Sequence, residues 1–565
     1  MELLIKGGYV FDPINGVDGE RMDICVRDGK VVESVDESRA KVVDASGMTV
    51  MPGGVDIHSH IAGSKVNLGR LMRPEDHRKD VVPRTDVTRS GVGYSVPSTF
   101  VTGYRYALMG YTTVIEPAGP PLGARHVHEE LNDIPIVDKA FFPLMGNNYF
   151  VLRYVSEGDL EKLRAFVAWL LWATRGYAVK IVNPGGVEMW KWGKDVESID
   201  DEVEGFGVTP RQIVVGLARA NESLELPHTI HIHCNNLGVP GNYETTIETM
   251  EAVRGIEPAP GRRAVMHITH VQFNAFAGKD WRDFRSGGPE VADYLNKHEH
   301  VTVDVGQIDF TDTTTMTADG PWQFRLYTLT GNKWVNSDVE LETGAGIVPY
   351  TFRKKSPVNA VQWAIGLEVM LLMKDPWRVY LTTDHPNGAP FTHYPRVVAW
   401  LMSRKARSDT MTGMHGAVFK RTEIADVYRE YTLYEIAIAT RAGTARALGL
   451  RDKGHLGVGA DADVAVYQLD PNRLDTSDYR SIEKAFSRAK YVIKGGEIVV
   501  WDGRIVSAPL GRTFWVRASV PEDVRGQVME EVGEVFEKYY TVSLSNYPVQ
   551  DAYLPNPVEV HAGGG

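Results

Sequence analysis

Apolar residues in this chain follow two rhythms. Over the first fifty positions, short β-rich runs alternate with Asp-Gly turns. Asp23-Ile-Cys-Val26 leads into Arg27-Asp28-Gly29-Lys30 and then Val31-Val32, the pattern of a hairpin. The texture returns near the other end, where residues 491–500 precede Trp501-Asp502-Gly503-Arg504 and Ile505-Val506. Two such segments bracketing a long middle predict one small β-sandwich built from both termini, over residues 1–52 and 441–510. Residues 511–565 then form a C-terminal extension ending in a short Gly-rich tail.

The middle, residues 53–440, has another period. Over 159–174, Leu160, Leu163, Phe166, Val167, Leu170 and Leu171 recur at helical spacing, with Gly176 as the expected C-cap. A strand over 178–182 follows. Thr209 and Pro210 read as the N-cap and first-turn proline of a helix to Leu224, before a strand over 229–233. Further helix–strand pairs are expected at 289–297 with 301–305, and at 358–373 with 379–383. Repeated units of this kind argue for an α/β protein with a parallel sheet, and their number fits a (β/α)8 TIM-like barrel better than an open sheet. Residues 306–351 show little regular pattern, and such an excursion at a strand end suits a substrate loop.

The expected strands end in residues that make a poor core. His58 and His60 are two apart, so an extended chain aims both imidazoles at one point. His231 and His233 share a face in the same way, and the Cys-Asn-Asn turn that follows favours His233 as the ligand. His267 and His270 compete for the next strand, where an offset of three puts them on opposite faces. Thr382-Thr-Asp384 ends the last strand in a carboxylate. In a barrel the carboxyl ends of the strands gather around one site, so these residues read as metal ligands.

Lys180 is the odd member, since an ammonium cannot bind a cation and is costly to bury alone. Burial and nearby metal charge lower its pKa, and the neutral amine can add CO₂ to become a carbamate with two oxygens.

Composition narrows the setting. The 565 residues are 43% hydrophobic and 24% charged, the balance of a globular protein. Acidic residues outnumber basic ones, 73 to 61, which argues against nucleic acid as a partner. No apolar stretch is long enough for a membrane span, and the start of the chain reads as a strand rather than a signal peptide. Two cysteines provide no disulfide framework and no iron–sulfur ligand cluster, so a cytoplasmic setting and no redox cofactor in this chain are expected.

His58-Ser-His60, the strand lysine, the later strand histidines, Asp384 and the divided β domain resemble the amidohydrolase superfamily. Gly454-His-Leu-Gly-Val-Gly-Ala-Asp-Ala-Asp463 is similar to that superfamily's return into its sandwich. More narrowly, the chain resembles the A subunits of formylmethanofuran dehydrogenases. The motifs are Gly54-Val-Asp-Ile-His-Ser-His-Ile-Ala-Gly63, Lys180-Ile-Val-Asn-Pro184, His231-Ile-His-Cys-Asn-Asn-Leu-Gly238, Thr269-His-Val-Gln-Phe273, Thr313-Thr-Thr-Met-Thr-Ala-Asp-Gly320 and Tyr547-Pro-Val-Gln-Asp551.

The resemblance implies two divalent metals, zinc by expectation, held by His58, His60, carboxylated Lys180, His233, His270 and Asp384, with Asp384 as the catalytic proton carrier. It favours His270 over His267 through the Thr-His-Val-Gln-Phe motif. It implies reversible condensation of formate with the amine of methanofuran, in methanogenesis and CO₂ fixation. The partners would be a molybdenum- or tungsten-pterin subunit that makes the formate and iron–sulfur subunits that supply its electrons. Methanofuran carries carboxylates, for which Arg70, Arg73, Arg78 and Lys79 are the candidate cations. The rival readings are a bacterial formyltransferase/hydrolase subunit, a stand-alone hydantoinase-like cyclic amidase, and a scaffold without chemistry.

Overall fold

The computed structural model describes residues 2–339 and 342–563, so the last two glycines of the tail lie outside it. Eight parallel strands carry the middle of the chain: β1 (Gly54–Asp56), β2 (Tyr111–Gly119), β3 (Asp138–Pro143), β4 (Lys180–Val182), β5 (Ile230–His233), β6 (Met266–Ile268), β7 (Val301–Asp304) and β8 (Val379–Tyr380). They form two sheets, β1-β2-β3 and β4-β5-β6-β7-β8, with every pairing parallel. Two isolated parallel bridges join their edges, Leu144 with Lys180 and Ser59 with His385.

A helix lies in each connection, from Thr99–Leu108 between β1 and β2 to Pro357–Leu372 between β7 and β8. The helix Pro210–Ser223 starts in a full capping box, with Thr209 and Gln212 each satisfying the other's backbone N–H. The helix Leu160–Thr174 is capped by Asp159, but its end differs from expectation. Arg175 takes the left-handed position (φ 50°), and Gly176 is there for space, since a Cβ would meet the Pro143 ring at 2.6 Å.

Residues 306–351 are more regular than their sequence suggests. They hold a helix, Gly320–Thr330, and a three-stranded antiparallel sheet in the order Asp312–Thr317, Glu342–Thr351, Val335–Val339. The pattern was hidden because threonines fill both faces of the first strand. Thr313 and Thr315 are buried with their hydroxyls bonded to the Tyr350 and Val348 carbonyls.

Strands from both termini share one nine-stranded sheet, in which Thr49–Pro52 pairs with Val464–Tyr467. It has its own core, including Leu3, Ile5, Val26, Val50, Val464 and Ile493. The hairpin turn is at Asp28-Gly29, both at positive φ (49° and 81°), as a tight turn with matched twist requires. The C-terminal extension adds Thr513–Arg517 and Pro557–His561 beside β3 and packs the helix Glu522–Tyr539 over Leu160–Thr174, while Phe536 stacks on Phe150 of the helix Tyr149–Glu157 at 6.0 Å. Among the described residues no helix is long and apolar enough to cross a membrane.

One buried carboxyl sets a pH dependence for the fold. Glu368, on Pro357–Leu372, faces Ser286 Oγ and the Glu423 N–H, and burial pushes it from 4.5 to about 8. The folded chain therefore holds a proton that the unfolded chain releases. This stability is full below the unfolded value and is lost as pH rises through 8. Glu368→Gln should match the wild-type melting temperature near about pH 4 and exceed it near about pH 9. Thermal denaturation at the two pH values checks this; parallel declines in both proteins would refute it.

Candidate metal centre

The chain leaves β1 into Ser59, whose bridge to His385, with the His60 N–H donating to the His385 carbonyl at 2.8 Å, brings both ends of the strand series together. His58 Nε2 then lies 2.9 Å, and His60 Nε2 3.3 Å, from Asp384 Oδ1. All three side chains are buried, yet neither His58 Nε2 nor Asp384 Oδ1 makes a hydrogen bond within the described residues. Buried polar atoms are almost always satisfied, so atoms converging without a bond point to a cation between them.

Asp384, His270, Asn183 and Asn236 all stand just past strands with positive φ, between 37° and 58°. This conformation is unfavourable for side chains with a Cβ and re-aims them, and it clusters at functional sites. For His270 (φ 37°, ψ 48°) it turns the ring to 4.8 Å from His233 and 5.4 Å from His58, between centroids, with Nδ1 unbonded.

His267 instead lies a layer deeper, with both ring nitrogens engaged. Nε2 is 3.0 Å from Asp304 Oδ2 and Nδ1 is 2.8 Å from Thr302 Oγ1. Both histidines thus face the interior, and the offset-of-three argument fails because His270 has left the strand. Lys180 stands in register with His231, buried, its Nζ without a hydrogen bond among the described residues. Burial pulls its amine down to about 7 against the opposing pull of Asp304 and Asp384.

Supporting carboxylates decide which nitrogen each ring presents. Asp319 Oδ2 lies 3.0 Å from His233 Nε2, and Glu116 Oε1 lies 3.3 Å from His60 Nδ1. A carboxylate accepts a proton on the facing nitrogen, so the other nitrogen is left bare for a metal. Burial alone would raise the Glu116 carboxyl, but Lys65, at 2.7 Å, and His60 outweigh it and hold it at about 2.

Sequence reasoning missed Glu116 and Asp319, although a charged residue inside the apolar run of β2 is the same signal that exposed Lys180. A second carboxylate group, Asp138, Asp461 and Asp463, is filled by Lys453, Lys494 and Arg512 and so has no room for a metal.

The four candidate substrate cations are spread out. Arg70 pairs with Glu130 at 2.9 Å, and Arg73 (buried) and Lys79 share Asp312 at 2.8 and 2.6 Å. The two bonds to Asp312 tie the segment after β1 to the sheet in residues 306–351, and the bond to Glu130 ties it to the helix Ala124–Asp133. Arg78 is exposed to solvent.

The chain belongs to the amidohydrolase family, whose profile matches residues 41–500. It is of the metal-dependent amidohydrolase type. Within that class it falls in the FwdA family, that of the formylmethanofuran dehydrogenase A subunits. Protein FwdA of Methanocaldococcus jannaschii is 56% identical over 558 residues, 98% of this chain and 97% of that protein. The A subunit of the formyltransferase/hydrolase complex Fhc of Methylorubrum extorquens is 37% identical, again over 98% of this chain and 97% of that one. A chain in the crystal structure of that bacterial complex, solved with methylofuran, matches over 100% of both chains with a TM-score of 0.90 and 36% identity.

Proposed function

We propose that this chain condenses formate with the amine of methanofuran and, in reverse, hydrolyses formylmethanofuran. It would do so within a cytoplasmic complex whose pterin (molybdenum or tungsten) and iron–sulfur subunits reduce CO₂ to formate. The observation that carries the reading is the group of unsatisfied buried atoms on His58, Asp384, His270 and Lys180, within a chain alike over nearly its whole length to FwdA.

The nitrogen and oxygen donors of His58, His60, His233, His270 and Asp384, with carboxylated Lys180, fit two zinc ions. When bound, such ions polarise the formyl oxygen and acidify water. Asp384 is buried, which raises its carboxyl above the ordinary value and suits it to hold a proton and pass it on. In hydrolysis it takes the proton of the attacking water and delivers it to the departing amine nitrogen; in condensation it runs the transfer backwards. The buried surroundings exclude bulk water, which condensation requires. Lys79 and Arg78, both exposed, remain the cations proposed for the substrate carboxylates.

We further infer that the eight strands close into one barrel over 53–440, supported by the two edge bridges, and that 1–52 with 441–510 folds as a sandwich around its separate core. Residues 511–565 are taken as the extension. The methylofuran-bound relative supports a second reading, membership of a formyltransferase/hydrolase complex.

The native complex should release formate from formylmethanofuran and contain close to two metals per chain. His270→Ala should lower that content while His267→Ala retains it. Co-purifying pterin and iron–sulfur subunits favour the first reading, a formyltransferase partner the second. A metal-free active complex would dismiss both.

A further inference from the structure

Behind His58 stands a file of histidines that the chemistry above does not use. His228 Nδ1 is 2.6 Å from the Ala447 carbonyl oxygen, His228 Nε2 is 3.1 Å from His231 Nδ1, and His231 Nε2 is 2.8 Å from His58 Nδ1. His228 and His231 are fully buried and His58 nearly so.

A carbonyl can only accept, so His228 must carry its proton on Nδ1 and present a bare Nε2. His231 Nδ1–H then donates to that nitrogen, which leaves His231 Nε2 bare in turn. His58 Nδ1–H donates to His231, with Thr269 Oγ1 at 2.6 Å from the same nitrogen as a further acceptor. The lone pair on His58 Nε2 is thereby turned toward Asp384. Within the file any other assignment sets two lone pairs or two protons face to face, or needs a charged ring. A charged ring would be costly at any of these three positions, which are all closed off from solvent. At the open end of the file His58 Nε2 meets Asp384 Oδ1 at 2.9 Å, where a proton on Asp384 or a cation completes the contact.

We propose that His228 and His231 are positioning residues, a tautomer relay anchored on the Ala447 carbonyl that fixes the nitrogen His58 offers to a metal. This deepens the metal-centre reading and rests on it. The relay runs from the helix Gly443–Leu448, at the return into the terminal sheet, so that segment helps set the metal site.

The test uses the full-length chain and zinc alone. His228→Phe removes the acceptor for His231, whereas His228→Gln keeps one. Chelator competition should show zinc affinity falling ~10–100-fold for His228→Phe, the usual cost of losing a partner behind a ligand, and far less for His228→Gln. Melting temperatures of both variants show whether each is folded. Equal affinity in wild type and a folded His228→Phe would overturn the relay.

Nitrogen-15 spectra of histidine-labelled, metal-free wild type need no variant. His228, His231 and His58 should each be protonated at Nδ1 and bare at Nε2, and a different tautomer at His231 overturns the proposal. If wild type binds no zinc, the metal-centre reading fails, while the spectra still judge the relay.

Discussion

Lys180→Ala is expected to reduce the metal content from two per chain to one or fewer. It should also lower formylmethanofuran hydrolysis by at least about 100-fold, since removing a mere supporting partner already costs ~10–100-fold. The lysine is buried, lacks a hydrogen bond among the described residues, and stands where its charge adds to burial in depressing His58, His231, His233 and His270. An ammonium there would repel the cations those rings are arranged to hold. With its amine drawn to about 7, a sizeable neutral fraction exists near neutrality. That fraction adds CO₂, forms an N–C bond, releases one proton and becomes an anion with two oxygens. A short carboxylic acid such as acetate should partly restore Lys180→Ala by filling the gap, and metal loading of the wild type should depend on bicarbonate. Full loading in CO₂-free buffer together with an active Lys180→Ala would make Lys180 an ordinary core residue.

The second large effect is on stability. Lys453 is buried between Asp138 and Asp463, at 2.5 Å from each, with Asp461 at 3.1 Å. Asp138 belongs to β3, and Asp461 and Asp463 lead into the terminal sheet, so this ammonium fastens the two parts. Lys453→Met leaves buried carboxylates under-neutralised, since Lys494 and Arg512 alone remain at Asp138, and should cost ~3–5 kcal/mol. Lys30→Met removes an exposed pair with Asp452 and a contact to Asp461, and should cost about 1 kcal/mol or less. Urea unfolding of the two variants side by side measures the contrast. Equal and small losses would show that Lys453 is dispensable.

Much of this was legible in the chain. Helix–strand alternation and the Asp-Gly hairpin are local matters, decided by period and turn chemistry, and the structure follows them over most elements. His58 and His60 were legible because two residues of spacing fix a shared face whatever lies opposite. Lys180 was legible because an apolar run does not accommodate a free ammonium. The sheet in residues 306–351 was not, because buried threonines with bonded hydroxyls erase the alternation that marks a strand. The fates of His267 and His270 were not either. Sequence spacing assumes a regular strand, and His270 lies just past one, in a left-handed turn.

Only the tertiary structure could assign roles to Glu116, Asp319, His228 and His231, since each role depends on a contact with a residue distant in the chain: His60, His233, Ala447 and His58 respectively. The fold likewise sets the fate of Asp138, Asp461 and Asp463, whose charges are neutralised by Lys453, Lys494 and Arg512. The sequence by itself determined which chemistry the strand-end side chains carry and, where a strand is regular, which of them share a face. The fold decided which of them meet, because a ring nitrogen's lone pair and a buried carboxylate's neutraliser are set by contacts across the chain.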